Sequence, residues 1–486
     1  MKTQQKTTLK NITEQGTLYW HDYETFGLSP AKDRPAQFAG IRTDLNLDEV
    51  APSDEWFCCI PRDYLPDPIA CLVTGITPQQ TLKKGVPENE FIHHINNTFS
   101  VKNTCVVGYN SIRFDDEVTR FTLYRNFLDP YEREYKNGCS RWDIIDMVRA
   151  CYALRPDGIK WPMTIDEITE EEKPSFRLEL LTKENELAHD QAHDAMSDVY
   201  ATIGIAKLIK EKQPRFYDYC FNLRSKSEVL KTLNMNNPKP VIHVSGMFPS
   251  TQGCISYVLP ISAHPVNKNA VIVVDLAKDI SNLIDLSVED IAQYMYMKKS
   301  ELPEGINRPA VKLIHINKCP FVAPAKTLGE ARADELGIDR KQCRISLDLI
   351  NQHPEVAEKL RAAFAIEREF DNTNQSVEEM LYSGGFFSYG DKDKLKEISS
   401  LTMQQLSTKS YQFDDPRLEK LLWHYRARNG EALLSEEELQ KWQQHSQLYF
   451  EENKDTFFEK IESLAMEHQS NPKKLKVLEQ LVAYVS

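Results

Sequence analysis

Three regimes of hydrophobic patterning succeed one another along the chain. From residue 17 to about 210, short apolar or alternating runs take turns with longer segments whose apolar positions recur every three or four residues. That is the pattern of alternating strands and helices. "TLYWHDYET", "WFCCI" and "TCVVGYN" read as strands, and "ENEFIHHINNTF", "DDEVTRFTLYRNF" and "RWDIIDMVRACYAL" as helices. The last helix of this regime is "HDAMSDVYATIGIAKLIKEK", with Met196, Val199, Ile203 and Ala206 on one stripe. Pro214 in "KQPR" ends it, because proline cannot continue a helix interior. Short strands follow, "PVIHVSGMF", "CISYVLPIS", "AVIVVDLA" and "VKLIHINKCP", separated by Pro, Gly and Asn turns and interrupted by helical insertions such as "SVEDIAQYMYMKK". From about residue 366 the pattern is helical and charged, in "SVEEMLYSGG", "PRLEKLLWHYRARNG" and "SEEELQKWQQHSQLYF". The expected organisation is an α/β domain over residues 1–213, a β-rich domain over 214–365 and a helical domain over 366–486.

Composition narrows this picture without redirecting it. The 486 residues are 41% hydrophobic and 27% charged, values of a globular chain rather than a disordered or fibrous one. A formal net charge of -13 argues against nucleic acid as a partner only on the sum, since binding depends on a local basic groove. Ten cysteines form no CxxC pair and no zinc spacing, so neither a disulfide framework nor a zinc site is expected, and a reducing, cytoplasmic location fits. The amino-terminal stretch lacks the apolar core of a signal peptide, and no later stretch is apolar for long enough to span a membrane.

The first strand carries the strongest chemical signal. In "TLYWHDYETFG", Asp22 and Glu24 stand two positions apart, so a strand puts both carboxylates on one face at close range. Repulsion and desolvation penalise that arrangement unless a cation lies between them, and a divalent metal is the simplest such cation. Two further segments offer hard oxygen ligands. "GYNSIRFDDEVTR" places Asp115 at the start of a helix, where the dipole favours a carboxylate, and "AHDAMSDVYATI" places His193 five residues before Asp198. Four carboxylates and one imidazole suit phosphodiester hydrolysis by two divalent ions, with histidine taking the proton of the attacking water. A lone Asp-x-Glu triplet is common in acidic chains; the set is what carries weight.

The order Asp-x-Glu, Phe-Asp, His-x4-Asp resembles the DEDD exonuclease superfamily in its histidine variant. More closely, "HDYETFG", "DRPAQFAGIRTD", "GYNSIRFDDEVTR", "SRWDIIDMVRACYALRP", "SFRLELLTKEN" and "AHDAMSDVYATI" look like the bacterial exodeoxyribonuclease I family. The similarity runs on through "HVSGMF", "NKNAVIVVDLA", "VKLIHINKCP" and "LLWHYRARN" and so covers nearly the whole chain. The resemblance implies a ribonuclease-H-like exonuclease domain, an SH3-like β-domain and a C-terminal helical region that together enclose single-stranded DNA. It implies Mg²⁺-dependent, processive 3′→5′ hydrolysis to 5′-mononucleotides in DNA repair and recombination, with two Mg²⁺ per site and Mn²⁺ as a substitute. It further implies a monomer that docks the acidic C-terminal tail of single-stranded DNA-binding protein. Mapped residue by residue, Asp22, Glu24, Asp115 and Asp198 are metal ligands and His193 the general base. One departure is visible: Ser111 stands where the superfamily often has Asn, with Asn110 one place earlier. An RNA-trimming DEDD ribonuclease, or a single-strand binding protein whose nuclease site has decayed, are the alternatives; the intact ligand set speaks against decay.

Neighbouring residues compete for the same roles. Asp116 and Asp194 read as solvated or capping residues of a first helical turn. His189 lacks the motif's spacing to Asp198, and His21 alternates with Asp22 and so reads as a packed strand residue facing away. Thr25 and Phe26 follow Glu24 directly; Phe26 either stacks on the terminal base or belongs to the core. Arg177 in "SFRLELL" suits a phosphate clamp, because guanidinium offers paired donors, and the family resemblance supports it. Arg120, Arg125, Tyr131 and Tyr135 interleave charge and aromatic rings as single-strand binding requires, although an amphipathic surface helix looks similar, and Arg149 shares that ambiguity. Lys226, Asn269, Lys312 and Asn317 would line the far wall of a DNA channel or stand as ordinary polar strand ends.

Overall fold

A computed structural model describes residues 14–167, 170–188, 193–367 and 375–485. The chain forms two compact units, one of Met1–Ser140, Asp190–Tyr200 and Asp371–Ser486, the other of Arg141–His189 and Ala201–Phe370.

The first unit is organised by strands β1 (Thr17–Thr25), β2 (Pro35–Thr43), β3 (Asp54–Phe57) and β4 (Thr104–Gly108), which lie in the order β3-β2-β1-β4. β1 runs antiparallel to β2 and parallel to β4. Its central place explains why it is apolar on both faces: Leu18, Tyr19 and Trp20 are all buried. The helix Glu88–Phe99 sets Phe91, Ile92, Ile95 and Phe99 against Tyr19, Tyr23, Phe38 and Val106 as one core.

β2 was not among the expected strands. "PAQFAGIRT" neither alternates nor avoids Gly, Gln and Arg, yet all nine residues are buried. Pro35 stands at its first residue, where the ladder tolerates a missing N–H. Gly40 lets Tyr19 lie against it, because a Cβ there would be 2.3 Å from the Tyr19 hydroxyl oxygen. Arg42 spends its donors internally, on the Thr17 and Thr104 hydroxyls at 2.6 and 2.9 Å.

The helix Asp115–Arg125 differs from the surface helix that its charge suggests: ten of its eleven residues are buried, so its polar side chains are paired inside the protein. Carboxy-terminal helices Tyr389–Ser400, Pro416–Gly430, Glu436–Glu467 and Pro472–Val485 complete this unit, three of them capped by Ser388, Asp415 and Ser435. Leu418, Leu421 and Tyr425 pack with Tyr124 and Phe127, and Phe457, Ile461, Leu478 and Leu481 pack with Phe26, Ile60 and Tyr64. "SVEEMLYSGG" forms only a one-turn 3₁₀ helix, Val377–Glu379, and Gly384 at a φ of +91° takes a conformation that no helix continues.

In the second unit, "RWDIIDMVRACYAL" is not one helix. Its first residues belong to β5 (Ser140–Asp143), and the helix is Ile145–Leu154. Trp142 is buried with its ring edge-on to Tyr217 and Phe221, and the Asp143 carboxylate accepts from the Ile145 N–H at 3.0 Å, which makes the turn between them. A small hairpin, β6 (Met163–Ile165) with β7 (Glu172–Pro174), precedes an antiparallel sheet of β8 (Val241–Val244), β9 (Ile255–Ala263), β10 (Ala270–Asp275), β11 (Val311–His315) and β12 (Phe321–Pro324), in the order β11-β10-β9-β8-β12. Four of these five follow the expected runs; β12, four residues that follow Pro320 and end in Pro324, was missed. The expected helix Ala195–Lys212 begins in the first unit and continues into the second, with Val199, Ile203 and Ala206 buried. Among the described residues, no helix is long and apolar enough to cross a membrane.

Candidate active site

β1 presents Asp22 and Glu24 on one face, and the first turn of the helix Ala195–Lys212 brings Asp198 to them. One carboxylate oxygen from each of the three lies within 4.8 Å of the others. Asp115, the first residue of its helix, adjoins this trio: its Oδ1 accepts from the Tyr23 N–H at 3.2 Å, on the backbone between Asp22 and Glu24. The electrostatics follow from this crowding. Burial, then the charges of Asp115, Glu24 and Asp198, raise the Asp22 carboxyl well above the usual range. Burial, then Asp198, Asp115 and Asp194, push Glu24 up to about 9. A divalent cation reverses the sign of that field, and an all-oxygen donor set fits a hard ion. Asp22, Glu24 and Asp198 could hold one directly, with Asp115 at the edge of the set.

His193 lies on the turn before the helix, exposed, at a φ of +67°. Among the described residues no hydrogen bond or ion pair holds its ring. His189 lies outside the described residues. Asp194 caps the helix, accepting from the Ser197 N–H at 3.2 Å, and is steadied by Gln37 Nε2 at 3.3 Å. Asp116 is neither solvated nor a ligand: it is 1% exposed and accepts from Arg133 Nη2 at 2.6 Å in a fully enclosed ion pair. His21 faces the core, its Nδ1 donating to the Val107 carbonyl at 3.0 Å, and burial lowers its pKa to about 4.

The expected substrate contacts divide sharply. Thr25 is buried and its hydroxyl donates to the Gly27 carbonyl at 2.6 Å. Phe26 is 1% exposed within the apolar cluster of Ile60, Tyr64 and Phe457, so it cannot stack on a base. Arg120 is corrected as well: 7% exposed, it is forked onto Glu134 at 2.8 and 3.0 Å and bonded to Glu117 at 2.6 Å, which leaves no donor pair for a phosphate. Tyr131 is half-buried beneath it, with the guanidinium 5.2 Å from the ring centre. Arg125 is buried against Glu88. Tyr135 alone of this group is freely exposed, at 67%.

The second unit holds the remaining candidates. Arg177 precedes the helix Leu178–Glu184, is exposed and pairs with Glu179. Arg149 is half-buried and bonded to Asp146 at 2.8 Å. Lys226 and Asn269 are brought together, Nζ donating to Oδ1 at 2.8 Å on the surface. Lys312 on β11 donates to the Ser245 hydroxyl at 2.7 Å and covers the Phe248 ring, while the Asn317 carbonyl accepts from Arg141 at 3.2 Å. Sequence reasoning missed a buried polar set in the first unit, Arg34, Asp63, Glu378, His424 and Arg428, whose members lie up to hundreds of positions apart and carry no local motif.

Comparison with known proteins adds to this geometry. Family models match in three places: an exonuclease model over residues 19–206, the exonuclease I SH3-like domain over 224–366 and the exonuclease I C-terminal domain over 375–486. Exodeoxyribonuclease I of Haemophilus influenzae is 47% identical over 469 residues, covering 96% of this chain and 98% of that protein. Its Escherichia coli counterpart is 45% identical over 472 residues, 97% and 98% of the two chains. The E. coli exonuclease I crystal structure in complex with a dA16 oligonucleotide superposes with a TM-score of 0.92 at 44% identity, covering 97% and 99%. A zinc-bound form of the E. coli ExoI–ssDNA complex gives 0.90 at 45% identity, covering 97% and 99%. A complex of SSB and exonuclease I with an inhibitor gives 0.89 at 44%, again covering 97% and 99%. The first sheet with its carboxylates is thus the ribonuclease-H-like exonuclease domain, the antiparallel sheet the SH3-like domain and the last helices the C-terminal domain. At this identity and coverage the chain belongs to the exonuclease I family of exodeoxyribonucleases.

Proposed function

We propose that this enzyme degrades single-stranded DNA processively from the 3′ end to 5′-mononucleotides, using two Mg²⁺ that Mn²⁺ can replace. The observation that carries the reading is the convergence of Asp22, Glu24 and Asp198, with Asp115 beside them, at one face of β1. When bound, the ions supply a low-pKa water and charge stabilisation at the phosphate. The protein's part is to hold four carboxylates in register, with β1 fixing two and two helix starts the others. His193, on its exposed turn, accepts the proton of the attacking water. Tyr131, Tyr135, Arg149, Arg177, Lys226, Asn269, Lys312 and Asn317 remain candidates along the strand's path, and Tyr135 and Arg177 are the most accessible of them.

The same reading includes a division into domains at 213/214 and 365/366, supported by matches over 19–206, 224–366 and 375–486. It includes a monomer acting in the cytoplasm in DNA repair and recombination, and docking of the acidic tail of single-stranded DNA-binding protein, supported by the solved SSB complex of a relative. Oligonucleotides labelled at either end, assayed with Mg²⁺ and with EDTA, test the core of it. Immediate release of labelled mononucleotide from the 3′ end, only with metal, is expected. Release from the 5′ end first, or equal turnover of a matched RNA strand, would overturn polarity or substrate.

A further inference from the structure

β1 runs from Asp22 and Glu24 directly into a loop over residues 26–34 that returns as β2. The loop is a closed turn. The Phe26 N–H donates to the Arg34 carbonyl at 2.9 Å, the Ser29 N–H donates to Asp33 Oδ2 at 2.7 Å, and the Tyr64 hydroxyl donates to Asp33 Oδ1 at 2.7 Å. Gly27 leaves no room for a side chain, since a Cβ there would be 2.2 Å from the Asp33 carboxylate. Glu24 still pairs with Gln37, but the register slips just beyond it, so that Thr25 pairs with Pro35, the neighbour of Arg34. The irregular end of β1, directly after Glu24, is thus held at the base of the turn, at Arg34 and Pro35.

Arg34 is 5% exposed and its Nη2 donates to Glu378, itself 3% exposed, in the one-turn helix Val377–Glu379. Among the described residues, Arg34 Nε and Nη1 have no hydrogen-bond partner, so Glu378 is its one carboxylate anchor. The other Glu378 oxygen accepts from His424 at 3.0 Å and from Arg428, which in turn holds Asp63. Burial alone would raise the Glu378 carboxyl; Arg428 and Arg34 hold it well below the usual range. Stability alone gives no reason for such a cluster, because well-packed apolar residues commonly do as well as buried ion pairs. What the ion pair adds is direction: it ties the loop beside the metal strand to one point of the carboxy-terminal segment.

We propose that Glu378 and Arg34 form a positioning pair that fixes the end of β1, and with it the Glu24 carboxylate, so that the carboxy-terminal segment sets the site's affinity for its divalent cation. This rests on the assignment of Asp22, Glu24 and Asp198 as cation ligands. The test is calorimetric titration of the metal-free full-length chain with Mn²⁺, alongside the Mg²⁺ dependence of hydrolysis and KM for an oligonucleotide. Arg34→Met and Glu378→Gln break the pair from its two ends, and either one that folds suffices. Each is expected to weaken Mn²⁺ binding about 10-fold, the scale of groups that orient ligands, with KM for DNA unchanged. Asp391→Asn weakens another buried carboxylate of the carboxy-terminal segment, bonded to Lys394 at 3.1 Å, and is the control for lost stability. A weakening equal to that in Asp391→Asn, or none, overturns the pairing. Asp22→Ala separates the underlying assignment, since that variant binding Mn²⁺ like the parent would overturn the ligand set itself.

Discussion

Asp22 shows how one residue concentrates the chemistry of the chain. It is half-buried among like charges, a cost that a proton or a cation offsets, and the consequences are measurable. Asp22→Ala is expected to abolish hydrolysis while leaving oligonucleotide binding largely intact, as read by anisotropy beside a turnover assay. Asp22→Asn is expected to raise the melting temperature of the metal-free protein, because it removes one repelling charge, and to lose the further rise that Mg²⁺ gives the parent. His243 titrates in the opposite sense. Buried, with Nδ1 donating to the Phe321 carbonyl at 2.9 Å, it has its pKa lowered to about 3 by burial and then Lys312. The unfolded chain therefore binds the proton first, and stability falls as pH drops from about 6.5 towards 3, by roughly 1 kcal/mol per pH unit. Urea midpoints from pH 7 to 5 should show His243→Leu less pH-sensitive than the parent. The acidic set was legible at this scale because strand and helix spacings are local. The burial of Phe26 and Arg120 was not, since Phe457 and Glu134, which enclose them, lie in other segments.

At the scale of elements, the helix Asp115–Arg125 joins site and core. Its first residue faces the carboxylates and its second is locked to Arg133 in an enclosed pair. Arg133→Ala strands the Asp116 charge and is expected to cost roughly 3–5 kcal/mol in chemical unfolding. The double variant Arg133→Met, Asp116→Leu should recover much of that loss, which a cycle of the four proteins would measure. Helix stripes were readable from spacing. Failures fell where tertiary burial overrides pattern: β2, buried throughout with polar residues bonded inside, and β5, where one buried Trp142 turns a helical-looking run into a strand and a turn.

At the scale of the whole molecule, a chain of net charge -13 acts on a polyanion, so binding must come from local cations. Affinity for an oligonucleotide should fall with salt, and Lys226→Ala, which removes an exposed cation, should reduce the slope of log affinity against log salt by about 0.7 if that lysine meets a phosphate. An unchanged slope would remove Lys226 from the path. The sequence by itself determined the three regimes of secondary structure and singled out the four carboxylates and His193 as candidates, because hydrophobic period and motif spacing are written over a few residues at a time. Only the tertiary structure decided that Asp115 stands beside rather than within the tightest trio, that Arg120 and Phe26 are enclosed, and that Arg34 is anchored by Glu378. Each of these depends on which distant segments exclude water from a side chain, and burial of that kind is a property of the packed chain rather than of any stretch of it.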